Sequence, residues 1–367
     1  MITANPAILL IILLCVPCES FTACLSTASG PRTALRIARN EIPSLYMEQE
    51  AILVRRGERE GSLMAHVVDP LKANVVKGTG SSGGFGGRKE GGENSQLKVE
   101  GKAHADVLKT EGVVRIDNVL SKETADELRI FLYDLRSESE KLVESGDIQP
   151  IERFANVLLK ENRCDLTVPL GSKIVADSLC SVLQHSPVGH TISNLLGKDA
   201  VLYELSCLIS DPGSQRQVMH PDTPYLNDDP ALYTCFIALQ DIQIDMGPTT
   251  WLPGTNSMVA HKQFKDEDCS SGESAKDKLL RSTPGVLGTL PKGCCALYDS
   301  RTLHCGGANG SNQSRALFYF SFKNPSMGYP GNPGSIRREY ISKFRLADLQ
   351  KEMKAYGRGR KDTVLTL

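Results

Sequence analysis

The sequence predicts a mainly β protein with buttressing helices, a double-stranded β-helix of the jelly-roll or cupin-like kind. From about Val201 onward, short apolar runs alternate with Gly, Pro, Asn and Asp. Those runs are evenly spaced, and the helical patterns lie upstream of them. Short strands separated by turn signals favour a sandwich or jelly roll over a parallel α/β sheet.

Taken in order, the chain opens with a leader. Ile8 to Val16 is an almost unbroken apolar run, followed by Pro17, Cys18, Glu19 and Ser20. This has the shape of a signal peptide over residues 1–20 and is too short to cross a bilayer comfortably. Residues 21–45 begin with Phe21 and carry Arg32, Arg36 and Arg39 among Ser and Thr, a transit-peptide composition. Together they resemble the bipartite plastid presequence of algae with secondary plastids. Secretion, or residence in the endoplasmic reticulum, is the other destination this leader allows. No stable membrane span is expected in the mature protein.

Residues 46–98 read as a linker region, because GTGSSGGFGGRKEGGENS at 78–95 cannot bury a core. A P-loop is excluded, since no Gly-Lys-Ser/Thr follows. The folded domain is expected over 99–330, with a C-terminal extension over 331–367. Its first strand is Val113 to Ile116, turning at Asp117–Asn118. Ser121 suits an N-cap, and Ala125, Leu128, Phe131, Leu132 and Leu135 recur at helical spacing. A second helical stretch runs from Lys173 to Leu196, interrupted near Pro187. Strands are then expected at Val201–Ile209, Tyr233–Leu239, Thr249–Leu252, Val286–Leu290, Cys294–Tyr298 and Arg315–Phe322. The polar insertion between Asn256 and Pro284 reads as a solvated loop, a lid over a site being the alternative.

Bulk properties set the outer limits. With 40% hydrophobic and 23% charged residues, the 367-residue chain is ordinary globular protein. A net charge of −1 gives no electrostatic reason for nucleic acid as a partner. A small-molecule substrate fits better. The eleven cysteines are scattered, mostly in apolar runs, and read as small buried hydrophobes.

The chemistry lies among the seven histidines. His220-Pro221-Asp222 places an imidazole and a carboxylate two residues apart, on one side of an extended chain. Alone, that triplet is weak. The strand Cys294 to Tyr298 leads to His304, after which a glycine turn and the loop Asn309 to Ser314 return the chain to RALFYFSF. Alternation there sets Arg315, Leu317, Tyr319 and Ser321 on one face and Ala316, Phe318, Phe320 and Phe322 on the other. The phenylalanines pack against another layer, so Arg315 faces the barrel interior. Two histidines and one carboxylate on one face of Fe(II) form the facial triad of non-haem oxygenases. The open positions take 2-oxoglutarate and O2, and the remote carboxylate of 2-oxoglutarate suits a fixed arginine. Arg315, eleven residues past His304, can supply it.

At this point the chain resembles the phytanoyl-CoA dioxygenase-like family of Fe(II)/2-oxoglutarate-dependent oxygenases. The resemblance covers about Leu108 to Phe322, in EGVVRIDNVLSKETADELR, the H-P-D triplet, GPTTWLPGTN and KGCCALYDSRTLHCGGANGSNQSRALFYFSF. It implies His220, Asp222 and His304 as iron ligands and Arg315 as the 2-oxoglutarate arginine. Thr249 or Thr250 could touch the co-substrate, and Thr249 is favoured. The chain departs from the family in Asn256, where His is commoner, and in Met246, where Asn is; these bear on substrate contacts. Retention of Asp222 argues against halogenation, where that carboxylate is replaced. The implied reaction is hydroxylation of an unactivated C–H of a small metabolite, with succinate and CO2 as co-products. The alternatives are a cupin-type metalloenzyme not using 2-oxoglutarate, and a catalytically silent binding protein on the same fold.

Other candidates have blander readings. His185, His190 and His261 are expected to be structural or exposed. The sequons at Asn309 and Asn312 read as turn chemistry. Arg163 and Asp165 bind substrate or form an ion pair bracing the helical layer.

Overall fold

A computed structural model describes residues 68–72, 90–155, 161–270, 272–327 and 334–356. The expected signal and transit segments lie outside the described residues. Among those described, no helix is long and apolar enough to cross a membrane.

Two sheets face each other. The larger has the order β2 (Val113–Ile116), β8 (Cys295–Asp299), β5 (Leu232–Ala238), β10 (Arg315–Lys323), β4 (Val201–Ser210) and β3 (Arg163–Thr167). Every neighbouring pair in it is antiparallel. The smaller sheet runs β1 (Val68–Pro70), β7 (Gly285–Leu287), β6 (Thr249–Trp251) and β9 (His304–Gly306). This is the mainly β jelly-roll architecture expected of the sequence.

The alternation read in β10 holds. Ala316, Phe318, Phe320 and Phe322 join the core under the helices, while Leu317 and Tyr319 join the core between the sheets. Trp251 from the smaller sheet meets Phe236 and Tyr298 from the larger, with ring centroids 6.5 and 5.7 Å apart. Each buried aromatic of this kind contributes about 1.5–3 kcal/mol through removal of apolar surface from water.

Five of the described helices cover the outer face of the larger sheet. In α2 (Lys122–Glu144), Ser121 Oγ accepts from Thr124 N at 3.0 Å, as its N-cap role requires. Ala125, Leu128 and Leu132 are buried, with Phe131 and Leu135 packed alongside. The expected interruption near Pro187 separates α3 (Lys173–Gln184) from α4 (Val188–Leu196).

Four features differ from the sequence reading. First, the linker expectation fails at two places: β1 pairs in parallel with β7, and α1 (Glu90–Glu111) starts inside the glycine-rich stretch. The buried stripe of α1 is Gly101, His104, Ala105 and Leu108, helical in spacing but too small and polar to look apolar. Gly101 is needed there, because a Cβ would stand 2.6 Å from His190 Cβ on α4.

Second, the segment expected as a C-terminal extension belongs to the fold. Ile336, Tyr340, Leu346 and Leu349 are buried in the helix-covered core. Gln184 Nε2 donates to Gln350 O at 2.6 Å and Gln350 Nε2 to Leu183 O at 3.0 Å, tying α3 to α7 (Leu346–Tyr356).

Third, the 256–284 insertion is a solvated loop only over 266–270 and 272–273. It forms α5 (Met258–Lys265) and α6 (Ala275–Ser282), each N-capped by a serine, Ser257 and Ser274. Ala260, Leu279 and Leu280 pack on Met219, Leu252, Leu303 and Cys305.

Fourth, Arg163 and Asp165 do not brace the helical layer. Their strand pairs with β4 so that both share the inner face with Ser210 and Leu208. Asp165 Oδ2 accepts from Tyr319 Oη and Ser335 Oγ, both at 2.7 Å. Burial pushes the Asp165 carboxyl up to about 6, against hydrogen bonds from Tyr319, Ser335 and Ser206. A folded value above the unfolded one means the neutral acid is preferred, so this contribution is full in acid and lost as pH rises through about 6. The expected loss is on the order of 3 kcal/mol. Asp165→Asn should flatten that part of the pH dependence, measured as urea midpoints from about pH 3.5 to about pH 7 relative to wild type; parallel curves would refute it.

All eight cysteines among the described residues are free, and five of them are buried, as small hydrophobes are. Asn309 is buried and closes its own turn, donating to Ser210 O and Gln313 O at 2.8 Å each.

Candidate metal centre

The residues around His220 are extended and pair with β9. His220 and His304 exchange both backbone hydrogen bonds at 2.9 Å, and Gln217 N donates to Gly306 O at the same distance. Beyond Pro221, Asp222 N donates to Ser300 O at 2.8 Å. The H-P-D triplet is thus stitched to the strand that carries the second histidine, so three distant sequence positions meet.

The donor atoms converge. Asp222 Oδ1 lies 3.8 Å from His220 Nε2 and 3.5 Å from His304 Nε2. One potential donor atom from each residue falls in a group within 4.8 Å of one another. Both rings have the same support: His220 Nδ1 is 2.8 Å from Val218 O and His304 Nδ1 is 3.0 Å from Thr302 O. A carbonyl can only accept, so each Nδ1 carries the proton and each Nε2 the lone pair. That is the tautomer a metal ligand needs. On the far side of the carboxylate, the Tyr298 hydroxyl donates to Asp222 Oδ2 at 3.0 Å. Burial, then the Asp222 charge, raises the Tyr298 pKa well above its ordinary value, which keeps it a donor. His304 is buried, whereas His220 and Asp222 are about one-third exposed, so the cluster opens to one side.

Arg315 stands where the sequence placed it, on the inner face and fully buried. Its Nη2 donates to Ser210 Oγ at 3.1 Å, while Nε and Nη1 have no hydrogen-bond partner. Sequence reasoning missed its companion in this role. Arg163 and Arg315 both register with Ser210, one from each side of β4. Arg163 Nη2 donates to Gln215 O and Gly307 O at 3.1 and 3.2 Å, and its Nε and Nη1 are likewise unpartnered. Burial, then the charge of Arg163, pushes the Arg315 guanidinium down to about 9, still cationic at neutral pH. Two buried like charges with unused donors form a site shaped for an anion. A Cβ on Gly306 would stand 3.1 Å from Arg163 Nη1, which places that guanidinium against β9 just two residues past His304. The signal that could have found Arg163 is its polar alternation with Asp165 and Thr167, inverted relative to an ordinary half-buried strand.

Thr249 is buried and shares the face of Trp251, opposite to Thr250 by strand alternation. Asn256 is a brace: its Nδ2 donates to Leu108 O at 3.3 Å and lies 3.5 Å from Asp299 Oδ2. His261 is structural, with Nε2 2.7 Å from Arg301 O and Nδ1 accepting from Tyr225 N at 3.2 Å.

A largely antiparallel two-sheet roll holding a His-Asp-His cluster beside a buried cation pair defines a metal-dependent jelly-roll enzyme class. A family profile described as Phytanoyl-CoA dioxygenase (PhyH) matches residues 108–317. The chain belongs to that family. Among solved structures it is similar to the epimerase SnoN in complex with Fe3+, alpha ketoglutarate and nogalamycin RO, at 18% identity and TM-score 0.44, covering 63% of this chain and 86% of that one. The alpha-ketoglutarate-dependent carbocyclase SnoK matches at 18% identity and TM-score 0.42, covering 63% and 92%. No curated protein sequence matches the chain.

The family's iron and 2-oxoglutarate fit the residues present. The donor set is two neutral imidazoles and one carboxylate, which suits Fe(II). The orphaned guanidinium atoms of Arg315 and Arg163 suit the remote carboxylate of 2-oxoglutarate.

Proposed function

We propose that the protein hydroxylates an unactivated C–H of a small organic metabolite, with succinate and CO2 as co-products. The observation that carries this is the retained Asp222, with Oδ1 facing both histidine Nε2 atoms, beside the unpaired Arg163–Arg315 cations. His220, Asp222 and His304 would hold the iron, which with 2-oxoglutarate and O2 supplies the oxidising chemistry.

The chain's own residues do the rest. Arg315 accepts the remote carboxylate of 2-oxoglutarate in its guanidinium fork, and Arg163 adds a second cation to the same end. Thr249, buried on the face that carries Trp251, would touch the co-substrate. Trp251, Phe236 and Tyr298 form an apolar wall that excludes water from that face.

Anaerobic addition of Fe(II) and then 2-oxoglutarate should give a weak visible charge-transfer band, and air should then yield succinate. A metalloenzyme without 2-oxoglutarate, or a silent binding protein, would show neither.

A further inference from the structure

A carboxylate ligand can hold a metal through one oxygen or through both. Here the two oxygens of Asp222 have different neighbours. Oδ1 faces His220 and His304, while Oδ2 accepts the Tyr298 hydroxyl at 3.0 Å. We infer that Tyr298 is a positioning residue: by occupying Oδ2 it makes Asp222 a one-oxygen ligand and keeps the remaining coordination positions open. This rests on the metal reading of the triad.

The tyrosine is held rigidly enough for that task. It lies in β8 between β2 and β5, with Val113 and Thr234 as cross-strand neighbours. Its ring centroid is 5.0 Å from His304, 5.2 Å from Phe236 and 5.7 Å from Trp251. The main chain of Asp222 is fixed by Ser300, so the carboxylate torsion is what remains to be set. Asp222 is partly exposed, and without the phenol its Oδ2 can turn toward metal or water. A phenylalanine keeps the ring and removes the hydroxyl alone.

The test titrates Co(II) into the full-length protein, reading affinity by calorimetry and coordination by the visible d–d spectrum. Tyr298→Phe is expected to bind Co(II) about 10- to 100-fold more weakly, as loss of an outer partner of a metal ligand does, with an altered d–d spectrum. Tyr319→Phe is the control, since it also loses a buried tyrosine–carboxylate bond, to Asp165 at 2.7 Å. It should bind Co(II) as the wild type does. Wild-type affinity and spectrum in Tyr298→Phe would overturn the inference, as would an equal loss in Tyr319→Phe. In the wild type alone, Co(II) should also perturb a tyrosine ultraviolet band; its silence overturns the inference whether or not the variant folds. If the wild type binds no Co(II), the metal reading itself falls, and this inference with it.

Discussion

His304→Ala should leave a folded protein whose Fe(II) affinity is down by more than ~100-fold, beyond the loss expected when only a supporting partner is removed. The residue is the junction of the centre. Its backbone pairs with His220 in both directions, so an alanine keeps the strand register while deleting the ring. The ring packs in tilted contact with Tyr298 and His220, with centroids 5.0 and 4.6 Å away. Its loss therefore also creates a cavity, and the metal-free protein should melt a few degrees lower, a cost of about 1–3 kcal/mol. The two effects separate by experiment: calorimetric Fe(II) or Co(II) titration reports the ligand, and a thermal melt in chelator reports the packing. With the metal lost, the 2-oxoglutarate charge-transfer band and succinate formation go too. Unchanged metal affinity would mean that other residues hold the iron.

Much of this centre was legible because its parts obey strong local rules. His220 and Asp222 needed only an extended backbone, and Arg315 needed only strand alternation, which four aromatic residues in one nine-residue strand make plain: Phe318, Phe320 and Phe322 cannot face water, so Arg315 faces inward. Less local features were harder to see. β3 carries Arg163, Asp165 and Thr167 inward, so its polarity is the reverse of an ordinary strand, and it is absent from the expected strands. α1 buries Gly101 and His104, a stripe defined by close approach to α4 and not by hydrophobicity. α5 and α6 have serine caps in their sequence, but their apolar partners Met219, Leu252 and Leu303 lie outside the insertion. Tyr298 is another case. As one more aromatic at the end of a strand it carries no local sign of a polar role, and only the fold brings its hydroxyl to Asp222. Site chemistry set by spacing was readable, whereas support set by tertiary contact was not.

Arg315→Met is expected to separate stability from function in opposite directions. In the ligand-free protein Arg315 is fully buried, with one hydrogen bond, to Ser210, and two unpartnered nitrogens. Its nearest charged influence is Arg163, a like charge. Replacing such a group by an apolar side chain of similar length removes both an uncompensated desolvation and a repulsion. The metal-free melting temperature should therefore stay or rise. Co-substrate binding should fall, because charge-assisted hydrogen bonds to a carboxylate are worth about 1.5–3 kcal/mol each. That corresponds to roughly a 10- to 150-fold higher KM for 2-oxoglutarate, at 1.4 kcal/mol per decade. Arg315→Lys should lie between, keeping charge but losing the planar fork. Fe(II) affinity without 2-oxoglutarate should not change in either variant, since Arg315 offers no metal ligand. The thermal shift that 2-oxoglutarate gives the wild type should disappear in Arg315→Met. An unchanged KM would assign the buried cations to some other anion and remove 2-oxoglutarate from the interior face of β10. A metal-free protein that melts much lower would mean that Arg315 is held by the fold for structure, with Ser210 as its partner.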